Sequence, residues 1–241
     1  MTPTRSRTRG RLLAVLLTLG CALWAASPAQ AWAWWPPYPN EPTTDIVDST
    51  QWGGQAVALT FDDGPDPEDT PRLLKVLRQN HVKAVFCLWG DHVRQHPDLV
   101  RQIVAHGHTL CNHTMHHDDM STWSPEEIRA DLEETSAAIR EAVPHARIPY
   151  FRAPYGAWGQ TPEVAADMGM QPLGWSLTVS DWNTPGTDEL VQRLREGITP
   201  QSVVLLHDGG GDRSQTVDAV ARIIPELRSQ GWYFTHPAWR G

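Results

Sequence analysis

Apolar residues in this chain fall into short blocks separated by longer stretches of helical spacing. From residue 56 the run AVALTF is nearly all apolar and stops at Asp62 and Asp63. Gly64-Pro65 then forces a turn. An apolar run that ends on a charged pair predicts a buried strand delivering carboxylates to its C-terminal end. A helix is predicted next, with Thr70 as N-cap, Pro71 at the first helical position, and Leu73, Leu74 and Leu77 on one face. Further strands are predicted at 84–88, 108–111, 148–152, 171–173, 175–179, 203–206 and 232–235. Helices are predicted after Pro97, after the capping box Ser124-Pro125-Glu126-Glu127, from Thr161-Pro162, and over 188–196. A last helix carries Val217, Val220, Ile224 and Leu227, with a kink or break expected at Pro225.

Strand–helix alternation implies a parallel sheet with helices outside it. The expected fold is α/β: a distorted or incomplete (β/α) barrel of seven to eight mostly parallel strands, as a single domain over 55–241. Residues 32–54 are rich in Pro, Trp, Thr and Asp without a clear period. They are expected to form an irregular lead-in.

The first 31 residues read as a secretory signal peptide. Arg5, Arg7, Arg9 and Arg11 precede the apolar stretch 12–26, which falls short of the roughly 20 residues that span a bilayer. Ala29-Gln30-Ala31 is a small-x-small cleavage site, so cleavage is expected near Ala31. Lipidation at Cys21 is a minor alternative, because Thr18-Leu19-Gly20 makes a poor acylation signal. The mature chain is therefore expected to be secreted, without stable membrane insertion, and monomeric.

Charge narrows the partners. The chain carries 20 Lys and Arg against 28 Asp and Glu. Without the four leader arginines 16 cations remain, a balance of −12 that argues against nucleic acid and anionic membranes. Abundant Trp suits stacking on sugar rings as well as core packing. Cys87 and Cys111 each end a predicted strand. In an oxidising compartment a disulfide can join them if those strands are neighbours, and two buried free thiols are the alternative.

Reactive side chains cluster after the predicted strands, whose C-terminal loops share one face in this topology. They are Asp62 and Asp63, the HTMHH run 113–117, Arg152 with Tyr155, Asp181 with Trp182, and His207 with Asp208. His113 and His117 are four apart, so a helical turn would aim both imidazoles the same way. His113 with His116 fits the spacing equally well. A carboxylate from the aspartate pair would complete a two-His-one-carboxylate metal site with open positions.

The whole array resembles the NodB-type polysaccharide deacetylases, carbohydrate esterase family four. Five motifs stand in the family's order: TFDDG at 60–64, H-[ST]-x-x-H at 113–117, R-x-P-[YF] at 152–155, Asp-Trp at 181–182 and LLHD at 205–208. The resemblance spans nearly the whole folded domain. It implies a secreted hydrolase that removes N-acetyl groups from N-acetylglucosamine glycans, chitin oligomers or peptidoglycan. It implies Asp63, His113 and His117 as ligands of a divalent metal, zinc foremost, with His117 preferred to His116. Asp62 becomes the general base and His207 the general acid. Arg152 is implied to pair with Asp62, and Asp181 to orient His207. The Tyr155 backbone N–H is implied to hold the oxyanion, Trp182 to wall the groove and Leu205 to line the acetyl pocket. One position departs: the family's D-x-x-D-W has Thr178 in place of its first Asp, which puts a supporting carboxylate in doubt. O-deacetylation of acetylxylan needs the same constellation. A non-catalytic glycan-binding protein or a structural zinc site would lack the base, the acid or the open position.

Overall fold

A computed structural model of the chain describes residues 1–2 and 41–239. Residues 3–31 of the expected leader, with its cleavage site and Cys21, and residues 32–40 of the lead-in lie outside the described residues. The sheet and its helices belong to the compact unit Tyr38–Gly241.

Among the described residues eight strands form one sheet, and every pairing between these strands is parallel. In chain order the elements are β1 (Ala56–Asp62), α1 (Asp69–Gln79), β2 (Val85–Leu88), α2 (Gly90–Gln95), α3 (Pro97–Ala105), β3 (Thr109–Asn112) and α4 (Pro125–Ala142). They continue with β4 (Tyr150–Phe151), α5 (Thr161–Asp167), β5 (Gln171–Pro172), β6 (Leu177–Thr178), α6 (Thr187–Gly197), β7 (Ser202–His207), α7 (Ser214–Ser229) and β8 (Tyr233–Phe234). Across the sheet the order is β5-β4-β3-β2-β1-β7-β6, with β8 beside Ala56 and Val57 at the start of β1. This is the incomplete barrel that the alternation implied.

Period-two alternation sorts the core into two layers. Val57, Leu59, Phe61, Phe86, Leu88, Leu110, Phe151, Val204 and Leu206 face the helices. Ala58, Val85, Cys87, Cys111, Tyr150 and Val203 face the barrel interior. Toward the strands' C-terminal ends that interior row turns polar. Thr60, Asp62 and Arg152 are buried there, so the strand ends deliver charged groups into a cavity instead of into solvent.

Several elements differ from the expected pattern. β4, β5, β6 and β8 have two residues each, shorter than the expected runs. A helix before Pro97, α2, had no apolar period to announce it, since only Gly90 and Val93 are buried. The first helix begins at Asp69, one residue before the expected cap. Its free N–H groups are met by Asp66 Oδ1, which accepts from Glu68 and Asp69. The last helix runs on through Pro225, which is exposed, so the carbonyl left without a partner can bond water. The end of the lead-in is held in place. Val47 is fully buried, donates its N–H to Pro172 O and accepts from Gly174 N. Ala238 N donates to Ser49 O, so the C-terminal tail packs on the same segment.

Cys87 and Cys111 lie directly opposite each other on β2 and β3 and form a disulfide. Their sequence separation is 24. Loop-closure entropy for a ring of that length gives about 3 kcal/mol of stabilisation. The double substitution Cys87→Ala/Cys111→Ala should lower the unfolding free energy by about that amount in a urea titration. A loss under ~1 kcal/mol would mean that the bridge constrains little of the unfolded chain.

Candidate active site

Parallel register sets the site's frame. Asp62 on β1 is the pairing partner of His207 on β7, and Asp208 N donates to Asp62 O at 3.1 Å. The two groups therefore stand side by side at adjacent strand ends. Asp63 follows with φ 71°, a left-handed turn that Asp tolerates better than most residues. That turn brings Asp63 beside Asp62 instead of leaving it on the opposite face.

Asp63 Oδ1 lies 3.4 Å from His113 Nε2 and 3.2 Å from His117 Nε2. One ligand atom from each of these three residues falls within 4.8 Å of the others. His113 Nδ1–H donates to Arg152 O at 2.8 Å, which leaves the Nε2 lone pair turned to the cluster. His117 Nδ1 shares a hydrogen bond with the Tyr155 hydroxyl at 3.0 Å. Asp63 Oδ1 is buried without a hydrogen-bond donor. An orphaned carboxylate oxygen facing two imidazole nitrogens has the chemistry of a divalent cation site, so these three residues fit a metal. Burial opposes charge on Asp63. The His113 and His117 imidazoles that face it, then the charges of His113 and His207, outweigh it and hold the carboxyl well below its ordinary range. On His113 burial again opposes charge, but the charges of Asp62 and Asp63 raise its pKa.

The two histidines do not share a helical turn. The segment from His113 to His117 is a loop, with left-handed φ at Thr114 (67°) and His117 (59°). Fixed side chains shape it. Asn112 Oδ1 accepts from Thr114 N, Thr114 Oγ1 accepts from His117 N, and Asp131 Oδ1 accepts from Met115 N. From the β2 end, Gly90 N and Asp91 N donate to the carbonyls of Thr114 and Met115. A Cβ on Gly90 would lie 2.9 Å from Met115 Cα, so that approach needs glycine. His116 points away. It is exposed and pairs with Asp91 at 2.9 Å.

Arg152 is fully buried and spends its guanidinium inside the barrel. Nη1 donates to Asp62 Oδ1 at 2.6 Å and to Thr60 Oγ1 at 2.9 Å. Nε and Nη2 donate to the carbonyls of Leu173 and Gly174. Across the pocket, His207 Nδ1–H donates to Asp181 Oδ1 at 2.8 Å, while Asp181 Oδ2 accepts from His207 N and from Thr216 Oγ1. Burial lowers the His207 pKa, but the bond to Asp181 and the charges of Asp181, Asp62 and Asp63 raise it overall. Asp62, Asp63, His113, His117 and His207 line a pocket of about 460 Å³ walled by Tyr155, Trp175, Trp182 and Leu205. Tyr155 and Trp182 stand at its rim, 73% and 44% exposed, so both present aromatic surface to a ligand.

Thr178 has a local role. Its Oγ1 accepts from Ser180 N at 3.4 Å, across the left-handed turn that presents Asp181. A hydroxyl can brace such a turn as a carboxylate does. Sequence reasoning passed over three further contributors. His92 Nδ1–H donates to Asp63 O at 2.7 Å. Trp89 packs its ring between His92 and His117, at 4.3 and 5.0 Å between centroids. Trp175 walls the pocket and lies 5.7 Å from the Arg152 guanidinium. The only signal for these was a place near a strand end: Trp89 directly after β2, His92 in the first turn of α2, and Trp175 at the start of the expected strand 175–179.

Known proteins resemble the chain in sequence and in fold. The model of the family described as polysaccharide deacetylase matches residues 50–173. A chitooligosaccharide deacetylase of Bradyrhizobium sp. (strain ANU 289) is 42% identical over 197 residues, 77% of this chain and 90% of that protein. A peptidoglycan-N-acetylglucosamine deacetylase of Bacillus cereus is 38% identical over 197 residues, 80% of this chain and 92% of that protein. Among solved structures, a peptidoglycan N-acetylglucosamine deacetylase in complex with 4-naphthalen-1-yl-N-oxidanyl-benzamide superposes with a TM-score of 0.74 at 33% identity. It covers 78% of this chain and 88% of that one.

The Asp181 contact generates a pH prediction. A raised folded-state pKa means that the pairing stabilises the fold at pH below the unfolded value and is lost as pH rises through the folded one. In the metal-free protein Asp181→Asn should move the His207 titration midpoint down, because the bond and the charge that raise it are removed. An NMR titration of the imidazole resonances checks this, and an unmoved midpoint would show that Asp181 does not set the charge of His207.

Proposed function

The chain belongs to the polysaccharide deacetylase family, and we propose that it is a secreted, metal-dependent enzyme that hydrolyses the N-acetyl groups of N-acetylglucosamine glycans. Chitin oligomers and peptidoglycan are the substrates named for its relatives. One observation carries the reading. A cation-ready Asp63-His113-His117 cluster lies in a pocket that also holds Asp62 and His207, each with its own buried partner.

The residues divide the work by their surroundings. Asp63, His113 and His117 would hold the metal, with zinc the ion best suited to a two-imidazole, one-carboxylate set. A divalent cation bound there supplies a Lewis acid for the acetyl carbonyl and lowers the pKa of water toward about 7. Asp62 Oδ1 is tied to Arg152 at 2.6 Å, and that bond fixes the direction of the carboxylate. Its other oxygen serves as general base for the attacking water. His207 presents Nε2 while Nδ1 stays bonded to Asp181, so it donates a proton to the departing amine nitrogen. Each transfer is typically worth 10²–10⁴ in rate, about 3–5 kcal/mol. The Tyr155 backbone N–H, held by the left-handed conformation at that residue (φ 59°), is assigned to the oxyanion. Leu205 lines the wall where the acetyl methyl would rest, and Trp182 offers a face to a neighbouring sugar.

Acetate release from chitin oligomers and peptidoglycan tests the proposal, with acetylxylan as the competing substrate. The protein with zinc should release acetate from the N-acetylated substrates faster than from acetylxylan. Chelation should abolish turnover, and Asp62→Asn should cut it by about 10²–10⁴. Turnover that survives both treatments would refute the mechanism. Faster release from acetylxylan would reassign the substrate to an O-acetyl ester.

A further inference from the structure

Asp208 is fully buried one residue beyond His207, and the proposed chemistry gives it no task. Its Oδ2 accepts from the Thr70 hydroxyl at 2.6 Å, and that hydroxyl accepts from Asp66 N at 2.8 Å. Its Oδ1 has no hydrogen-bond partner. What the carboxylate does touch is Gly64, the residue after Asp63. A Cβ on Gly64 would lie 2.5 Å from both Asp208 oxygens and 2.7 Å from Cγ. Gly64 is absent from the residues with left-handed φ, so its backbone conformation is open to any residue. Glycine is needed at 64 because the Asp208 carboxylate occupies the space of a side chain.

The same loop closes on the turn from a second direction. A Cβ on Gly209 would meet Asp63 O at 2.3 Å and Gly64 N at 2.8 Å. Arg213 holds that loop down through Gly209 O at 2.9 Å and Gly210 O at 3.0 Å, while its own N–H donates to Asp69 Oδ2. The Asp63–Gly64 turn is thus pressed between the strand that carries His207 and the start of α1.

The geometry points to Asp208 as a positioning residue: its carboxylate, seated on the Gly64 backbone and anchored by Thr70, fixes the placement of Asp63 relative to His207. This rests on the metal and acid roles proposed for those two residues. Packed interiors transmit strain instead of absorbing it, so a displaced Gly64 carries Asp63 with it. The effect should appear in metal affinity and in turnover, with substrate affinity nearly untouched.

A double-mutant cycle on Gly64 and Asp208 tests this, with Gly53→Ala as control because nothing lies within 4 Å of a Cβ there. The readouts are zinc affinity by chelator competition, kcat and KM on a chitin oligomer, and the thermal midpoint. Gly64→Ala should weaken zinc binding by about 10-fold or more and lower kcat, with KM within about 2-fold. In an Asp208→Ala background the same Gly64→Ala change should cost no more than about 2-fold in zinc affinity, since the clash is gone. Asp208→Asn keeps the shape and an acceptor for Thr70, so it should stay within about 3-fold of the unsubstituted chain in zinc affinity. Equal cost of Gly64→Ala with and without Asp208 would overturn the proposal. So would an Asp208→Ala protein that melts lower yet keeps zinc affinity and kcat. Coupling in zinc affinity without acetate release would uphold the clamp and defeat the deacetylase reading alone. No zinc binding by the unsubstituted chain would overturn both.

Discussion

A guanidinium placed inside a barrel is the constraint on which the rest of this structure depends. Taking Arg152 out of water costs several kcal/mol, and only a full set of acceptors offsets that. The fold provides four: the Asp62 carboxylate, the Thr60 hydroxyl, and the carbonyls of Leu173 and Gly174. They come from β1 and from the segment after β5, so satisfying one side chain ties the middle of the sheet to its edge. The Arg152 carbonyl then accepts from His113 Nδ1, which turns the other imidazole nitrogen toward Asp63. One residue therefore orients both a carboxylate and an imidazole. Breaking a buried pair of this kind leaves an uncompensated charge, typically at a cost of about 3–5 kcal/mol.

The opposite wall repeats the logic with different chemistry. Asp181 is almost wholly buried and takes three donors, two of them from His207. Two acidic side chains, each held by its own buried partner, thereby serve different ends of one pocket. Asp62 is held by a permanent cation, and Asp181 by an imidazole whose charge follows pH. Between them lies Asp63, with one oxygen left without a donor. Adjacent carboxylates that would repel in isolation are separated by what each one faces.

Much of this was legible in the sequence because strand ends are legible. The run into Asp62-Asp63 and the run into His207-Asp208 are apolar blocks that stop at charges, and parallel topology puts all such ends on one face. The motif order then carried the family. Other features were set by contacts that sequence spacing cannot express. The four-residue interval from His113 to His117 suggested a helical turn, yet the chain forms a loop pinned by Asn112, Thr114 and Asp131, the last 16 residues beyond its bond partner Met115. Two-residue strands such as β4 and β5 lack the length to show a period. Val47 sits in a segment without pattern because its partners, Pro172 and Gly174, are far along the chain. Thr178 looked like a loss only while its position was assumed to supply charge; a turn-bracing hydroxyl needs none.

The proposed function stands on one claim: three side chains on two loops form an open metal site beside a base that is not itself a ligand. Anomalous diffraction at the zinc edge, from crystals grown with zinc, tests it most directly. The expected result is one ion about 2.0–2.2 Å from an Asp63 oxygen and from Nε2 of His113 and His117, with solvent completing the coordination. An ion ligated by Asp62 or His116, or one enclosed by four protein ligands, would contradict it.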